Sequence, residues 1–276
     1  MSEGLANYAV DGNVSIVTMN RPEKLNALSK ELRTDLTDAL VRADEDPATR
    51  VVILRAAGRS FCAGYDIGGP RDPVKDAWRS DPLQYHKHLT PQLEFEMIPW
   101  YMRKPVIASV QGHAIGGGCE LAMFCDLTIA ADNAKFGEPE IRFANSGPAL
   151  VMPWIVGFKR ARELLYFGDM IDAEEALRLG MVNRVVPLAE LEEKTLKYAH
   201  RLALVDAEAL TTTKLALVRG ADRAGFRDAM HVGLDVVAPL YAAQTEAGAK
   251  FREIVKAEGL GAAVKWRTAQ FENAKI

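Results

Sequence analysis

The stretch Gln111-Gly112-His113-Ala114-Ile115-Gly116-Gly117-Gly118-Cys119-Glu120 constrains this chain most, and it is answered further on by Phe136-Gly137-Glu138-Pro139-Glu140. Three consecutive glycines bare the backbone, so a ligand can approach the main chain closely. They leave amide N–H groups at the head of a helix, where developing negative charge is stabilised. Glu120 then sits in Cys119-Glu120-Leu121-Ala122-Met123-Phe124, where every neighbour is apolar. A solvated helix face would carry more polar residues. Two glutamates beside a backbone anion site suit proton transfer around an enolate. Taken alone, the glycine run would read as a flexible turn and Glu120 as a solvated side chain.

Two upstream loops change that reading. Arg59-Ser60-Phe61-Cys62-Ala63-Gly64-Tyr65-Asp66-Ile67 follows the strand-like run Val51-Val52-Ile53-Leu54, and Asn20-Arg21-Pro22-Glu23-Lys24-Leu25-Asn26-Ala27-Leu28 closes another, Val14 to Met19. In this combination and order the chain resembles the crotonase superfamily of enoyl-CoA hydratases and isomerases. The resemblance runs in register from about Val14 to Pro187 and more weakly through the C-terminal helices. It implies an α/β fold: a spiral of ββα turns followed by a C-terminal helical trimerisation region. We place the spiral core, with its acyl-CoA site, at residues 1–204 and the helical oligomerisation region at 205–276.

The pattern along the chain divides in the same way. Val14 to Met19, Val51 to Leu54, Val106 to Val110 and Leu127 to Ala130 are short apolar runs suited to strands. Leu32, Leu36, Leu40 and Ala43 recur at helical spacing behind Ser29, a plausible N-cap. Asp172 with Glu175 forms a possible capping box for a helix through Leu179, ended by Gly180. Met181 to Val186 reads as a last short strand. Beyond Leu188 the pattern is wholly helical, with Pro239 the only remaining proline.

Composition excludes some classes. A chain of 276 residues, 49% hydrophobic and 26% charged, is that of a globular protein with a sizeable core. A net charge of −3 offers no broad attraction for nucleic acid or anionic membrane. Cys62, Cys119 and Cys125 lack metal-like spacing and read as buried thiols of a reducing compartment. Met1 to Tyr8 has neither a basic region nor an apolar run, and no stretch approaches a membrane span. We expect a cytoplasmic protein.

The resemblance assigns roles residue by residue. The backbone amides of Tyr65 and Gly117 should hold the thioester oxygen; the Tyr65 ring is not invoked. Glu120 and Glu140 should hold one water between them, Glu120 chiefly activating it and Glu140 chiefly moving the α-carbon proton. Confinement would raise the pKa of at least one of them. Lys24 and Ala27, with Arg21, match the first coenzyme A loop; Ala63, Asp66 and Ile67 match the loop that cradles adenine and pantetheine. Asp66 would alternatively stabilise its own turn. Lys265, Trp266, Arg267 and Phe271 read as packing residues before nucleotide contacts. Glu138 reads as structural or solvent-facing, and His113 as structural. Coenzyme A arrives as part of the substrate, so no separate cofactor and no metal is expected. The expected partners are an acyl-CoA thioester and further copies of the chain, in a homotrimer or dimer of trimers, with Leu210, Leu215, Leu217, Val232, Val236 and Leu240 as tail surfaces to bury.

Two departures bear on the substrate. After Glu140 the usual Gly-rich turn is replaced by Ile141-Arg142-Phe143-Ala144-Asn145-Ser146-Gly147-Pro148-Ala149-Leu150, with Pro148 suited to the first turn of a helix. The segment Gly68 to Lys104 is long and carries Trp78, Tyr85, His86, His88, Phe95, Trp100 and Tyr101. We expect from these an acyl group larger or more branched than a four-carbon chain; the competing reading is that Trp78, Phe95 and Trp100 pack a helix over the site and leave a small pocket. The expected reaction is hydration of a 2-enoyl-CoA, in fatty acid metabolism. The near alternative is isomerisation or a hydratase-lyase reaction on the same oxyanion site, and the distant one is a non-catalytic or RNA-associated binding protein on the same fold. No phosphate loop, dinucleotide fingerprint or nucleophile elbow is present.

Overall fold

Val51-Val52-Ile53-Leu54 forms the buried heart of a six-stranded sheet in the computed structural model, which describes residues 4–66, 80–243 and 245–272. The strands are β1 (Ala6–Asp11), β2 (Val14–Met19), β3 (Val51–Ala56), β4 (Val106–Val110), β5 (His113–Ile115), β6 (Leu127–Ala131), β7 (Lys135–Gly137), β8 (Ile171–Asp172) and β9 (Arg184–Val186). The main sheet runs β1-β2-β3-β4-β6-β9, with β1 antiparallel to β2 and every later pair parallel. The helices follow in order: α1 (Lys30–Glu45), α2 (Pro82–Glu96), α3 (Ile98–Tyr101), α4 (Gly117–Phe124), α5 (Met152–Val156), α6 (Phe158–Phe167), α7 (Ala173–Arg178), α8 (Leu191–Leu202), α9 (Ala207–Arg223), α10 (Phe226–Ala242), α11 (Glu246–Glu258) and α12 (Leu260–Glu272).

Both faces of the sheet are covered, as parallel sheets require. Val17, Met19, Val52, Leu54 and Val110 join the main core with Leu32, Leu36 and Leu40 of α1. On the other face Val14, Val51, Ile53 and Ile107 pack with Leu191 and Ala199 of α8. The predicted caps form: Ser29 accepts from the Leu32 amide at 3.2 Å and Asp172 from the Glu175 amide at 2.9 Å.

After β2, β3, β4 and β6 the chain leaves this sheet and crosses a second layer. There Leu28 bridges Tyr65, Cys62 bridges Ala114 of β5, and β5 pairs with β7, all in parallel. Each turn of the chain thus adds a strand to one layer and a segment to the other, which is the expected spiral. The second layer stacks the loops after successive strands side by side, and that stacking builds the site.

The helical tail closes this core on its own chain. Phe226, Met230 and Leu234 of α10 lie in the main core, Phe226 stacked on Trp100 at 4.3 Å. Lys214 of α9 is buried and its Nζ meets Asp126 Oδ2 at 2.7 Å and the carbonyls of Pro99 and Lys104 at 2.7 and 3.0 Å. Leu215, Leu217, Val232 and Val236 remain exposed on the same helices. The first-turn proline of α5 is Pro153, not Pro148: after the 3-10 turn Pro139–Phe143 the chain stays irregular until Met152.

Candidate active site

Asn26 fixes the first loop to the second. It is fully buried with φ +54°; its amide nitrogen donates to the carbonyls of Ala57 and Ser60 at 2.9 Å each, and its Oδ1 accepts from the Arg21 amide at 2.8 Å. Arg21 then pairs with Asp66 at 2.8 Å and donates to the Ala27 carbonyl at 2.9 Å. Asp66 therefore ties the two loops together. Ala27 and Ala63 are half-buried beside this junction, and Lys24 is exposed on the turn Pro22–Lys24. Ile67 and Trp78 lie outside the described residues.

Two backbone amides lie close to one another at this junction. The Leu28–Tyr65 bridge uses the Gly64 carbonyl, which accepts from Leu28 at 2.8 Å, and the Asp66 amide, which donates to Leu28 at 3.4 Å. In a parallel bridge these groups share an edge, so the N–H of Tyr65 faces the opposite edge. There the chain runs against the head of α4: a Cβ on Gly64 would stand 2.8 Å from the Ile115 carbonyl and 3.8 Å from the Gly117 nitrogen. Gly116, at φ +54°, makes the turn into α4, and the amides of Cys119 and Glu120 bond back to its carbonyl at 2.8 and 2.9 Å. The Gly117 amide, in the first helical turn, has no intrahelical acceptor.

Four carboxyls converge beside these amides. Glu120 is 1% exposed, Glu96 0% and Glu138 3%, while Glu140 is half-buried. A Cβ on Gly116 would fall 1.8 Å from Glu140 Oε1, and one on Gly147 would fall 2.2 Å from Glu120 Oε1 and 3.2 Å from Glu138 Oε2. Both positions therefore require glycine for the carboxyls to stand where they do. Glu120 Oε1, Glu140 Oε2 and both oxygens of Glu138 have no hydrogen-bond partner among the described residues. Burial pushes the Glu140 carboxyl up to about 7. Burial raises Glu120 well above the usual carboxylate range, and the charges of Glu96, Glu138 and Glu140 raise it further. Burial also raises Glu138, with Glu140 and Glu96 adding to it. Such a cluster holds protons at neutral pH, as an acid–base site needs.

Of the two readings of Glu138, structural or solvent-facing, the structure excludes the second: both its carboxyl oxygens are buried, just ahead of the 3-10 turn Pro139–Phe143. Arg142 anchors that turn: its Nη2 pairs with Asp169 Oδ1 at 2.5 Å and its Nε donates to the Phe167 carbonyl at 2.7 Å. Arg267 Nε donates to the Arg142 carbonyl at 2.5 Å and Phe271 lies 4.5 Å from the Arg142 guanidinium, so these tail residues pack as expected. Phe95 and Trp100 also pack in or against the core, so the competing reading of the aromatic segment holds for them.

Sequence reasoning missed Glu96 at the end of α2 and Tyr241 on α10. The Tyr65 hydroxyl donates to Glu96 Oε1 at 2.5 Å, and the Tyr241 hydroxyl to the Ser146 carbonyl at 3.0 Å. The Tyr241 phenol is held above its ordinary range by burial first, then by Glu140, Glu120 and Glu96. Glu96 carried a readable signal: its neighbours Phe95, Met97 and Ile98 are apolar, just as those of Glu120 are. His86 pairs with Asp235 at 2.8 Å and His88 meets Gln92 at 3.1 Å, one turn along the helix.

Residues 9–253 match the enoyl-CoA hydratase/isomerase family. The chain belongs to this family. It is 35% identical over 263 residues to a crotonyl-CoA hydratase of Syntrophomonas wolfei, covering 94% of each chain. It is 37% identical over 217 residues to an (E)-benzylidenesuccinyl-CoA hydratase of Thauera aromatica, covering 77% of this chain and 82% of the relative. A crystal structure of an enoyl-CoA hydratase/isomerase from Xanthobacter autotrophicus Py2 superposes with a TM-score of 0.89 at 33% identity, covering 96% and 98% of the two chains. The glycine turn and all four clustered carboxyls fall inside the family match. Among the described residues, no helix is long and apolar enough to cross a membrane.

Proposed function

We propose that this member of the enoyl-CoA hydratase/isomerase family adds water across the α,β double bond of a 2-enoyl-CoA. The observation that carries the reading is the convergence of two buried carboxyls, Glu140 against Gly116 and Glu120 against Gly147, on the helix whose head carries the Gly117 amide. The thioester oxygen accepts from the amides of Tyr65 and Gly117, which stabilise the enolate as it forms. Glu120 takes a proton from water as the hydroxyl bonds to the β-carbon. The π electrons move toward the α-carbon and carbonyl oxygen, and the α-carbon takes a proton from Glu140. The proton on one carboxyl returns to the other before the next turnover, so the pair titrates as a unit.

Lys24 supplies a point charge to a coenzyme A phosphate, and the loops of Ala27, Ala63 and Asp66, joined by the Arg21–Asp66 pair, cradle the remainder. The assembly is a homotrimer or dimer of trimers, a reading supported by the exposed Leu217, Val232 and Val236. Three buried free thiols support a cytoplasmic setting. Incubating the purified protein with 2-enoyl-CoAs of increasing acyl size tests the activity. Loss of enone absorbance with appearance of a 3-hydroxyacyl-CoA is expected; a shifted double bond without added water would mean isomerisation instead.

A further inference from the structure

Glu96 is a carboxyl of the site that the hydration scheme does not use. It ends α2, and its burial is unfavourable unless it is hydrogen-bonded or protonated. Its contacts are specific. The Tyr65 hydroxyl donates to Oε1 at 2.5 Å, and the same oxygen would stand 2.9 Å from a Cβ on Gly117. It therefore lies against the glycine whose amide is the second oxyanion donor. The carboxyls of Glu96 and Glu120 act on each other directly, and Glu96 Oε2 and Glu120 Oε1 are both buried with no hydrogen-bond partner among the described residues. Two neighbouring buried carboxyls cannot both ionise readily, so a proton remains between them. The other charged groups facing Glu96 are Glu140 and Glu138 from the turn after β7, and Arg33 of α1, whose guanidinium lies 5.7 Å from the Tyr65 ring centre. Arg33 favours the ionised form of Glu96 and Glu140 opposes it.

We infer that Glu96 is a positioning residue: the chain Tyr65 hydroxyl–Glu96–Glu120 holds the Glu120 carboxyl in place and keeps one proton shared between the two acids. Glu120 Oε1 is thereby left facing Gly147, where the reacting water is expected. The role of Glu120 in this inference rests on the hydratase reading; the shared proton does not. Raising the pH removes that proton and sets two adjacent carboxylates against each other, so the base loses its orientation. A glutamine at this position would accept from Tyr65 through its carbonyl and donate to Glu120 through its amide. It has no such proton to lose.

The test compares wild type, Glu96→Gln and Glu96→Leu in two readouts. One is the pH dependence of kcat and KM with a 2-enoyl-CoA; the other is the infrared absorbance of protonated carboxyls in the unliganded protein. Glu96→Gln should keep kcat near neutrality and move its basic limb to higher pH. Glu96→Leu should lose roughly 10²-fold in kcat with little change in KM, the scale expected for a misplaced catalytic group. Both variants should lose one protonated carboxyl from the neutral-pH spectrum. A superimposable pH profile for Glu96→Gln, equal kcat losses in the two variants, or an unaltered carboxyl band would each overturn the inference. If wild type hydrates no enoyl-CoA, the functional reading fails while the infrared band still decides the shared proton.

Discussion

Gly147 lies so close to Glu120 that a methyl group on its Cα would stand 2.2 Å from Glu120 Oε1. The contact is with the end of a side chain, so the chain can accommodate it by pushing the carboxyl aside. Gly147→Ala should therefore fold with little change in Tm and lose roughly 10²-fold in kcat, as expected when a catalytic group shifts by an ångström. Full activity in Gly147→Ala would show that the Glu120 position is not critical.

Glu120 and Glu140 act on one water in this account. Glu120→Gln and Glu140→Gln should each lower kcat by roughly 10²–10⁴-fold with the fold intact. The double variant should be much less than multiplicatively worse, because residues that act as a unit are non-additive. Steady-state kinetics of the three variants checks this, and full hydratase activity in either single variant would contradict the scheme.

The carboxyl cluster also fixes the sign of the pH dependence of stability. Glu140 is raised from 4.5 to about 7, and Glu96, Glu120 and Glu138 are raised by burial as well. The folded chain thus binds more protons than the unfolded chain above about pH 4.5, and stability falls as pH rises through that window. Glu140 alone corresponds to about 3 kcal/mol lost by neutrality. Glu31, Asp46 and Glu175 are shifted the other way but are surface groups, whose contributions solvent screens. Urea unfolding should give a lower stability at pH 8 than at pH 5, with a shallower slope for Glu138→Gln. A rise in stability over that range would contradict the assignment.

Much of this site is legible in the sequence because its chemistry is carried by backbone and local motif. Gly116 and Gly117 advertise a close approach, and Glu120 stands out as a lone acid in an apolar run. Glu96 shows the same local signal but belongs to no motif. Its place beside Tyr65 depends on α2 packing onto α10, which is tertiary. Glu138 left two readings open in the sequence, structural or solvent-facing, because its burial depends on the packing of the turn at Pro139 and not on its neighbours in the chain. The strands β5, β7 and β8 span only two or three residues, too few for any periodicity to show. The longer strands β2 and β4 were readable to their end residues.

Lys214 joins the tail to the core through Asp126 and two carbonyls, with its ammonium buried. Lys214→Met would leave Asp126, whose side chain is 26% exposed, without its counter-charge, and two carbonyls without a charged donor. A loss of about 1–3 kcal/mol in unfolding free energy is expected, between the surface-bridge and buried-pair values. Chemical denaturation measures it, and a loss below about 1 kcal/mol would place the pair in the weak class of surface bridges.

The most direct test of the hydratase account follows the oxygen atom. The purified protein is given a 2-enoyl-CoA in water enriched in heavy oxygen, and the product is analysed by mass spectrometry. The account predicts a 3-hydroxyacyl-CoA carrying one heavy oxygen on its β-carbon, formed by wild type and strongly suppressed in Glu120→Gln. An unlabelled product with a displaced double bond, or an unchanged substrate across acyl groups of every size tried, would contradict it.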